Sequence, residues 1–371
     1  MGHSIALNFE DGVTHFIECR PDETIADASY RVGINIPLDC RDGVCGTCKC
    51  GVESGEYDRG NYLVDALTGE EAAAGLALAC QTRPKTDLVV AIAASSEACK
   101  TRGQTYRARL HSVDRISGTT IAFSLDGADA VSFLPGQYAN LLVPGTDQRR
   151  LYSFSSPPGA EPLSFLVRNI PTGVMSTYLR EKAVPGTPVE FIGPAGSFYL
   201  REIKRPLLLL AGGTGLAPFL SMLGKIAETG SAYPIHLGYG VTNDADLVGV
   251  ERLEEFAAKI PGFTFFTCVA AENSAHPRKG YVTAHIEPDR LNGGDVDVYL
   301  CGPPPMVDAV RAWLGEQGMT PANFYHESSR RAVQSLRSAK PKAGGVRRVA
   351  PRVTHVRPPP YPAPSVSRRD H

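Results

Sequence analysis

The amino-terminal part of the chain opens with apolar and polar residues in alternation. IALNF and THFIEC, within residues 3–20, each show a period of two, which predicts two short strands joined by a turn. Residues 24–33 predict a helix, and either Asp22 or Thr24 is placed to cap its amino-terminal end. The pattern therefore predicts a small unit in which a strand pair precedes a helix.

A loop rich in glycine and cysteine then interrupts the regular pattern. CRDGVCGTCKCGVESG holds too many Gly and Cys residues for a regular element, so we interpret it as a loop that returns to a strand. DLVVAIAAS at 87–95 predicts the strand that closes the unit, and SSEACKTRGQ at 95–104 is typical of a linker. We predict a first domain at 1–97 and a linker at 98–104.

Two further domains follow with different patterns. Short β-like runs over 105–203 alternate with Pro and Gly turns, which predicts an antiparallel barrel with one helix near 175–183. At RPLLLLAGGTGLAPFLSMLGKIAE a continuous apolar strand runs into a Gly-rich turn and a helix, and PIHLGYGV, FTFFTCVA and DVDVYLCG supply further buried strands. Residues 204–328 are therefore predicted to form a doubly wound parallel α/β domain.

Composition agrees with a multi-domain globular protein. The 371 residues are 43% hydrophobic and 21% charged, and the chain is long enough for two or three cores. No apolar run approaches the roughly 20 residues that a membrane helix needs, and the amino terminus has no signal-peptide pattern. These observations predict a cytoplasmic protein with no membrane partner.

The charge is distributed unevenly, because a basic tail follows an acidic body. Residues 329–371 contain eleven Lys or Arg against one Asp, whereas the whole chain has a formal net charge of −1. The Pro-rich and Arg-rich composition of the tail cannot bury a core, which predicts disorder. Two interpretations stay open: an idle segment, such as one from a shifted reading frame, or a segment that binds an acidic partner or nucleic acid. We favour the first, so no nucleic acid partner is expected.

The cysteines predict an iron–sulfur site. Five of nine lie in the first fifty residues, and a C-x₄-C-x₂-C run followed by a fourth cysteine after 31 residues matches the plant-type [2Fe–2S] spacing. The predicted ligands are Cys40, Cys45, Cys48 and Cys80. Gly43 and Gly46 would let the loop curl tightly and offer N–H groups to the sulfides.

Two alternatives compete with a cluster. A zinc site usually shows paired C-x₂-C knuckles, of which this chain has one, and the other alternative is a set of unrelated buried cysteines. Cys50 lies two residues beyond Cys48 on the expected strand, so we predict that it points into the core and is not a ligand.

A flavin site is predicted on the barrel. In the R-x-Y-S motif, strand alternation places Arg150 and Tyr152 on one face, where a cation can meet the FAD pyrophosphate and a ring can pack on the isoalloxazine. Ser153 would lie near the flavin N5, and the turn before the predicted helix would present its N–H groups to phosphate. Alone, the motif also fits an ordinary strand. The predicted FAD-binding residues are Arg150, Tyr152, Ser153, Arg168, Gly173, Val174, Met175 and Ser176.

A nicotinamide site is predicted at two strand ends of the α/β domain, where open sheets of this kind bind ligands. GGTG alone is a weak signal, and a buried Cys before a Pro-rich turn is the alternative for CGPPPM. TNDAD, after strand PIHLGYGV, has acids and no Arg, which favours NADH because acids repel a 2′-phosphate. The predicted residues are Gly212, Gly213, Thr214, Gly215, Cys301, Gly302 and Pro303.

Five segments occur in a fixed order along the chain: CRDGVCGTCKC, RLYSFSS, RNIPTGVMS, AGGTGLAPF and CGPPPMV. With them, about residues 3–327 resemble the reductase components of two-component aromatic-ring dioxygenases. The resemblance implies a β-grasp plant-type ferredoxin domain, an FAD barrel and an NAD domain, with Ser153, Cys301 and Glu327 as catalytic residues. It also implies that NADH reduces FAD, FAD reduces the cluster, and the cluster reduces a Rieske centre in a separate oxygenase, for which benzoate is the expected substrate.

The resemblance ends at Glu327, where the family usually continues with Lys and an aromatic residue near the flavin. Here Ser328 and Ser329 lead into the tail, so the resemblance supplies no residue that shields the flavin beyond Glu327. An oxygenase acting on anthranilate, toluate, phenol or methane is the alternative partner. A metal-binding interaction protein without turnover is the alternative class, which two dinucleotide sites argue against.

Overall fold

The amino-terminal unit is a five-stranded mixed sheet. The computed structural model describes residues 2–38, 42–44, 46–64, 66–100, 104–127 and 131–328. The elements of the unit are β1 (His3–Phe9), β2 (Thr14–Cys19), α1 (Ile25–Arg31), β3 (Lys49–Ser54), β4 (Tyr57–Asp58), α2 (Gly69–Ala73), β5 (Leu76–Leu78), β6 (Arg83–Pro84), β7 (Leu88–Ile92) and α3 (Ser96–Lys100). The sheet order is β2-β1-β7-β3-β5, in which β1 and β7 are parallel, and β4 pairs with β6 separately.

The predicted strand pair and helix of this unit are confirmed. Thr24 caps α1, since its hydroxyl accepts a hydrogen bond from the Asp27 N–H at 3.2 Å. Residues 95–104, in contrast, are not simply a linker, because α3 lies there. The Cys99 side chain of α3 is buried in the core of the unit, and Ser96 donates two hydrogen bonds to Asp11, each 2.8 Å long. Packing of Cys99 therefore adds this segment to the first unit.

The middle unit is an antiparallel barrel, as predicted. Its elements are β8 (Gln104–Arg115), β9 (Thr120–Asp126), β10 (Tyr138–Leu142), β11 (Arg149–Ser153), β12 (Leu163–Arg168), α4 (Val174–Glu181) and β13 (Pro188–Ala195). The six strands run in the order β11-β10-β13-β8-β9-β12. An antiparallel bridge between Phe154 and Phe165 joins the two ends of the sheet and nearly closes it. Because that bridge directly follows β11, it fixes the strand that carries R-x-Y-S.

The third unit is a parallel sheet between two layers of helices and loops. Its elements are β14 (Leu207–Gly212), α5 (Leu216–Thr229), β15 (Ile235–Val241), α6 (Val250–Lys259), β16 (Phe263–Val269), β17 (Asp297–Gly302), α7 (Pro304–Glu316) and β18 (Asn323–Ser328). The order β16-β15-β14-β17-β18 confirms the doubly wound prediction. All of β14 except its last residue is buried, because both faces of the sheet are covered by the two apolar clusters.

The strand order of this sheet reverses between β14 and β17. Ligands of open α/β sheets bind at such a reversal, beside the carboxyl ends of the strands.

None of the helices in the described ranges has both the length and the apolar character that a membrane span requires. The predicted tail, residues 329–371, lies outside those ranges.

Candidate active site

Two of the four predicted cluster ligands come together in the first unit. The main-chain N–H of Cys80 donates to Sγ of Cys48 at 3.5 Å, and both side chains are buried. An N–H group aimed at sulfur stabilises a thiolate ligand, so this pair fits an iron–sulfur cluster. Cys40 and Cys45 lie outside the described residues. Cys50 is buried with Sγ 3.6 Å from the Ala77 carbonyl oxygen, as expected for a residue that points into the core.

The two loop glycines have the backbone conformation that a tight loop needs. Gly43 has φ +72° and Gly46 has φ +76°, in the left-handed region that disfavours other residues. A Cβ at Gly43 would lie 2.5 Å from the Asn61 carbonyl oxygen, so the loop packs directly on the neighbouring main chain. A Cβ at Gly46 would likewise lie 3.1 Å from the Ala66 carbonyl oxygen, so both glycines pack on a neighbouring main chain in a tight form that fits a cluster.

The two adjacent arginines of β11 have different surroundings. Arg149 forms an ion pair with Glu190 at 2.7 Å, whereas Arg150 donates only to neutral oxygens of Arg149 and Gln148 among the described residues. Arg150 and Tyr152 lie opposite Leu141 and Ala139 of β10 and so share one face, as predicted. A cation without an acidic partner is suited to a pyrophosphate group, and Arg150 therefore fits that role.

The amino-terminal end of α4 is also open to an anion. Gly173 is its N-cap residue and offers no side-chain cap, so the first N–H groups of the helix lack a capping acceptor. The Ser176 hydroxyl donates to the Ile170 carbonyl at 2.6 Å, and the Met175 side chain is buried in the barrel core, so these two residues offer their main chain to a ligand. Val174 packs against the same core, and Arg168 is exposed at the end of β12.

Arg180 organises the loop before α4, and the sequence analysis missed it. Its guanidinium donates to Asn169 Oδ1 at 2.6 Å and to the carbonyl oxygens of Ile170 and Pro171 at 3.2 and 2.9 Å. These bonds hold the turn that leads to Gly173. No local motif marks this role, although an Arg in the last turn of a short helix that follows a Pro-Thr-Gly turn is a usable signal.

The Gly-rich turn after β14 meets the end of β17. A Cβ at Gly215 would lie 2.2 Å from the Cys301 carbonyl oxygen, and one at Gly212 would lie 2.8 Å from Met306 Sδ. Gly213, in contrast, has φ +57° with no atom within 4 Å of the Cβ position. The turn therefore packs on the protein at both ends and leaves open space at Gly213, beside the half-buried Thr214.

The second part of this site is formed where β17 leads into α7. Gly302 is buried, and a Cβ there would lie 2.6 Å from Met306 Sδ. Pro303 is the N-cap residue of α7. Both lie at the carboxyl end of β17, next to the turn after β14, and together the two turns fit a nicotinamide dinucleotide.

The three predicted catalytic residues meet, although they come from different parts of the chain. Ser153 Oγ donates to Glu327 Oε2 at 3.0 Å, and Cys301 Sγ lies 3.8 Å from the same oxygen. Strand pairing explains why Cys301 meets Glu327, because Cys301 of β17 is the register partner of Glu327 of β18. Ser153 arrives from the barrel, so this cluster joins the barrel to the α/β unit.

Burial makes two of the site side chains harder to ionise. Burial raises the pKa of the Cys301 thiol well above its usual range, and the Glu327 carboxylate raises it further. Burial also raises the pKa of the Tyr152 phenol. The Cys301 thiol therefore stays protonated where it lies 3.8 Å from Glu327 Oε2, and the Tyr152 phenol stays neutral against the barrel core.

The acidic segment after β15 lies at the expected edge of the sheet, but its acids are bound to the protein. Asp244 accepts a hydrogen bond from the buried Ser274 hydroxyl at 2.6 Å. Asp246 accepts from the Asn243 N–H at 3.1 Å and from the Thr119 hydroxyl of the barrel. Asp246 thus connects two units, a role that the sequence did not reveal.

Comparison with known proteins agrees with this division. Residues 8–85 match the 2Fe-2S iron-sulfur cluster binding domain, 107–199 the oxidoreductase FAD-binding domain, and 209–312 the oxidoreductase NAD-binding domain. Among solved structures, the Amycolatopsis cytochrome P450 reductase GcoB is 33% identical with a TM-score of 0.66, over 87% of this chain and 98% of that one. The ferredoxin reductase in carbazole 1,9a-dioxygenase shares the fold, with 23% identity and a TM-score of 0.61 over 88% of this chain and 99% of that one.

The chain matches several curated relatives over almost the whole length of each relative. The toluate 1,2-dioxygenase electron transfer component of Pseudomonas putida is 56% identical over 88% of this chain and 98% of its own. The 2-halobenzoate 1,2-dioxygenase electron transfer component of Burkholderia cepacia is 53% identical over 88% of this chain and 98% of its own. The anthranilate 1,2-dioxygenase electron transfer component of Acinetobacter baylyi is 43% identical over 88% of this chain and 97% of its own.

Fold, site and domain matches define an NAD-dependent oxidoreductase that carries a [2Fe–2S] cluster and FAD. Its relatives act as electron transfer components for oxygenase partners. The chain belongs to the family of electron-transfer reductases of aromatic-ring dioxygenases.

Proposed function

We propose that the chain is the NADH-dependent reductase of a benzoate 1,2-dioxygenase and that its acceptor is a Rieske centre in a separate oxygenase. Toluate, 2-halobenzoate and anthranilate, named for the relatives, are all benzene carboxylates. Plant-type clusters lie near about −400 mV and Rieske centres at about −150 mV or above, so the last transfer is downhill. The acids of residues 242–246 support NADH over NADPH.

The meeting of Ser153, Cys301 and Glu327 carries the redox part of this proposal, whereas the substrates named for the relatives carry the choice of partner. When bound, FAD takes a hydride from NADH and the cluster passes on single electrons. Glu327 fixes the Ser153 hydroxyl, and the protonated Cys301 thiol lines the same point from β17. Arg150 and the amino-terminal end of α4 would hold the FAD pyrophosphate, with the neutral ring of Tyr152 against the isoalloxazine.

We also propose domain limits and a location. The ferredoxin domain runs from 1 to 100, because the buried Cys99 of α3 extends it beyond the predicted limit at 97, and the linker shortens to 101–104. The other limits stay as predicted, at 105–203 for the FAD domain, 204–328 for the NAD domain and 329–371 for the tail. Buried free thiols at Cys19, Cys50 and Cys99 support a reducing compartment, and hence the cytoplasm.

An anaerobic NADH titration followed by optical and EPR spectra tests the redox assignments. NADH should bleach the flavin and then produce a paramagnetic iron signal. Cys80→Ala should abolish the iron signal while flavin reduction by NADH survives, because the ligand belongs to a different domain from the flavin. Cys50→Ala removes a nearby buried sulfur and is the matched control, which should keep the signal. Equal loss of both steps in Cys80→Ala would count against the assignment.

Turnover with separately purified oxygenases tests the partner. A benzoate oxygenase should support NADH-dependent oxygenation of its substrate at a higher kcat/KM for the reductase than toluate, anthranilate, phenol or methane oxygenases. A clear preference for any of these four would replace benzoate in the proposal and leave the redox assignments standing.

A further inference from the structure

Arg201 lies in the segment that connects the FAD barrel to the NAD sheet, between β13 and β14. Its side chain is only 14% exposed. The guanidinium donates from Nη1 to the main-chain oxygens of Ser197 and Tyr199 at 2.8 and 2.9 Å. These two bonds anchor Arg201 to the end of the barrel domain.

The other edge of the same guanidinium faces the ferredoxin domain. Its Nε and Nη2 each lie 3.3 Å from Oε2 of Glu10, in the turn between β1 and β2. Nη2 also lies 3.4 Å from the Ala93 carbonyl oxygen, which follows β7. Arg201 thus binds two separate segments of the ferredoxin domain.

Two aromatic side chains pack against the guanidinium. Its central carbon lies 3.9 Å from the ring centre of Tyr199 and 4.2 Å from that of Tyr325 on β18. The main-chain N–H of Arg201 donates to the Tyr299 hydroxyl at 3.1 Å. A parallel contact reinforces the interface, because the Ser95 N–H donates to the Tyr199 hydroxyl at 2.6 Å.

These contacts connect the cluster domain to the strand that lines the flavin site. Tyr325 lies two residues before Glu327, on the same face of β18. A planar cation with five donors can stack between rings and bind carbonyl and carboxylate oxygens at once, which a lysine cannot do. Domains joined by one linker move relative to each other unless their contacts prevent it.

We propose that Arg201 is a positioning residue, which holds the ferredoxin domain at the separation from the flavin site that rapid transfer from flavin to cluster requires. The proposal rests on the proposed function for the location of the cluster and flavin sites. Hydride transfer from NADH to flavin takes place within the FAD and NAD domains and does not need this contact.

Anaerobic stopped-flow mixing of the holoprotein with NADH separates the two steps, because flavin bleaching and cluster bleaching have different spectra. Arg201→Met should leave flavin reduction within about twofold of wild type and slow cluster reduction about tenfold or more, since small misplacements cost large rate factors. Arg201→Lys keeps the charge but loses the planar guanidinium, so its rate of cluster reduction should lie between those of wild type and Arg201→Met. Iron content and the EPR line shape should not change.

Two further variants keep the test decisive. Arg205→Met is the matched control, because Arg205 lies in the same connecting segment but pairs with Asp295 and Asp297 of its own domain; both steps should match wild type. Should Arg201→Met fail to fold, Glu10→Gln removes only the interdomain ion pair and should still slow cluster reduction selectively. Equal slowing of both steps, or none in either variant, overturns the proposal. Failure of wild type to reduce its flavin or cluster would instead overturn the proposed function.

Discussion

The cluster loop and the nicotinamide turn both depend on glycine, but for different reasons. At Gly43 the backbone is left-handed and a neighbouring main-chain oxygen occupies the Cβ position. At Gly215 the backbone conformation is ordinary, with φ −62°, and only the lack of space demands glycine. Gly213 is the opposite case, with a left-handed backbone and open space. The comparison separates glycines that pack on the protein from one that faces open space.

Gly215→Ala should have the largest effect. Its Cβ would lie 2.2 Å from the Cys301 carbonyl oxygen, so α5 and β17 must separate. We expect a loss of about 1–3 kcal/mol in unfolding free energy, as overpacking of a rigid contact costs, together with slower NADH oxidation. Denaturant unfolding and steady-state kinetics measure the two effects.

Gly118→Ala is the control for that substitution, because Gly118 has an ordinary φ and no atom within 4 Å of the Cβ position. It should leave stability unchanged or slightly raised. A Gly215→Ala protein as stable as Gly118→Ala would mean that the turn does not pack on β17 as described.

Gly43→Ala should act next most strongly, and only on the ferredoxin domain. A left-handed alanine costs about 1–2 kcal/mol, and the 2.5 Å approach to the Asn61 oxygen adds to this cost. Iron content and the EPR signal should fall while flavin reduction by NADH persists. Gly12→Ala has a similar φ of +76° but open space, so it should keep its iron. Equal iron loss in both variants would assign the effect to backbone strain alone.

Gly213→Ala should have a smaller effect on stability and a specific effect on NADH. The left-handed backbone costs about 1–2 kcal/mol with no added clash, and the new methyl group enters the space where the pyrophosphate is proposed to lie. KM for NADH should rise. Gly293→Ala, with φ +64°, ψ +18° and open space before the amino-terminal end of β17, is the control that loses stability without a change in KM. The same KM in both variants would place the pyrophosphate elsewhere.

The sequence predicts what depends on local periodicity. Alternation gives the barrel strands, a continuous apolar run gives β14, and a hydroxyl before a helix gives the Thr24 cap. Strand ends in a parallel sheet meet at one edge, which is why the Gly-rich turn and Cys301 could be predicted as part of one site. Glu327 was predicted only through the family resemblance.

Contacts between distant segments carry no such signal. Arg149 and Arg150 are adjacent and chemically identical, and only the approach of Glu190, 41 residues away, shows which one is already paired. The α3 helix is missed for the same reason, since burial of Cys99 depends on a core built from distant strands. The role of Asp246 depends on Thr119, 127 residues earlier in the chain.

Asp244→Asn should give the smallest effect of these substitutions. It tests the charge of the nucleotide site, whereas the glycine substitutions test space and backbone conformation. Asn can still accept the Ser274 hydroxyl bond, so stability should hold, while one negative charge near the proposed ribose site is lost. Removing one charge at contact distance in water is worth about 1 kcal/mol, so the kcat/KM ratio for NADPH over NADH should rise about fivefold. Asp246→Asn is the matched variant, because Asp246 faces the barrel through Thr119 and should alter stability more than the ratio. If both variants change the ratio equally, the whole acidic segment, and not the charge at Asp244, selects the nucleotide.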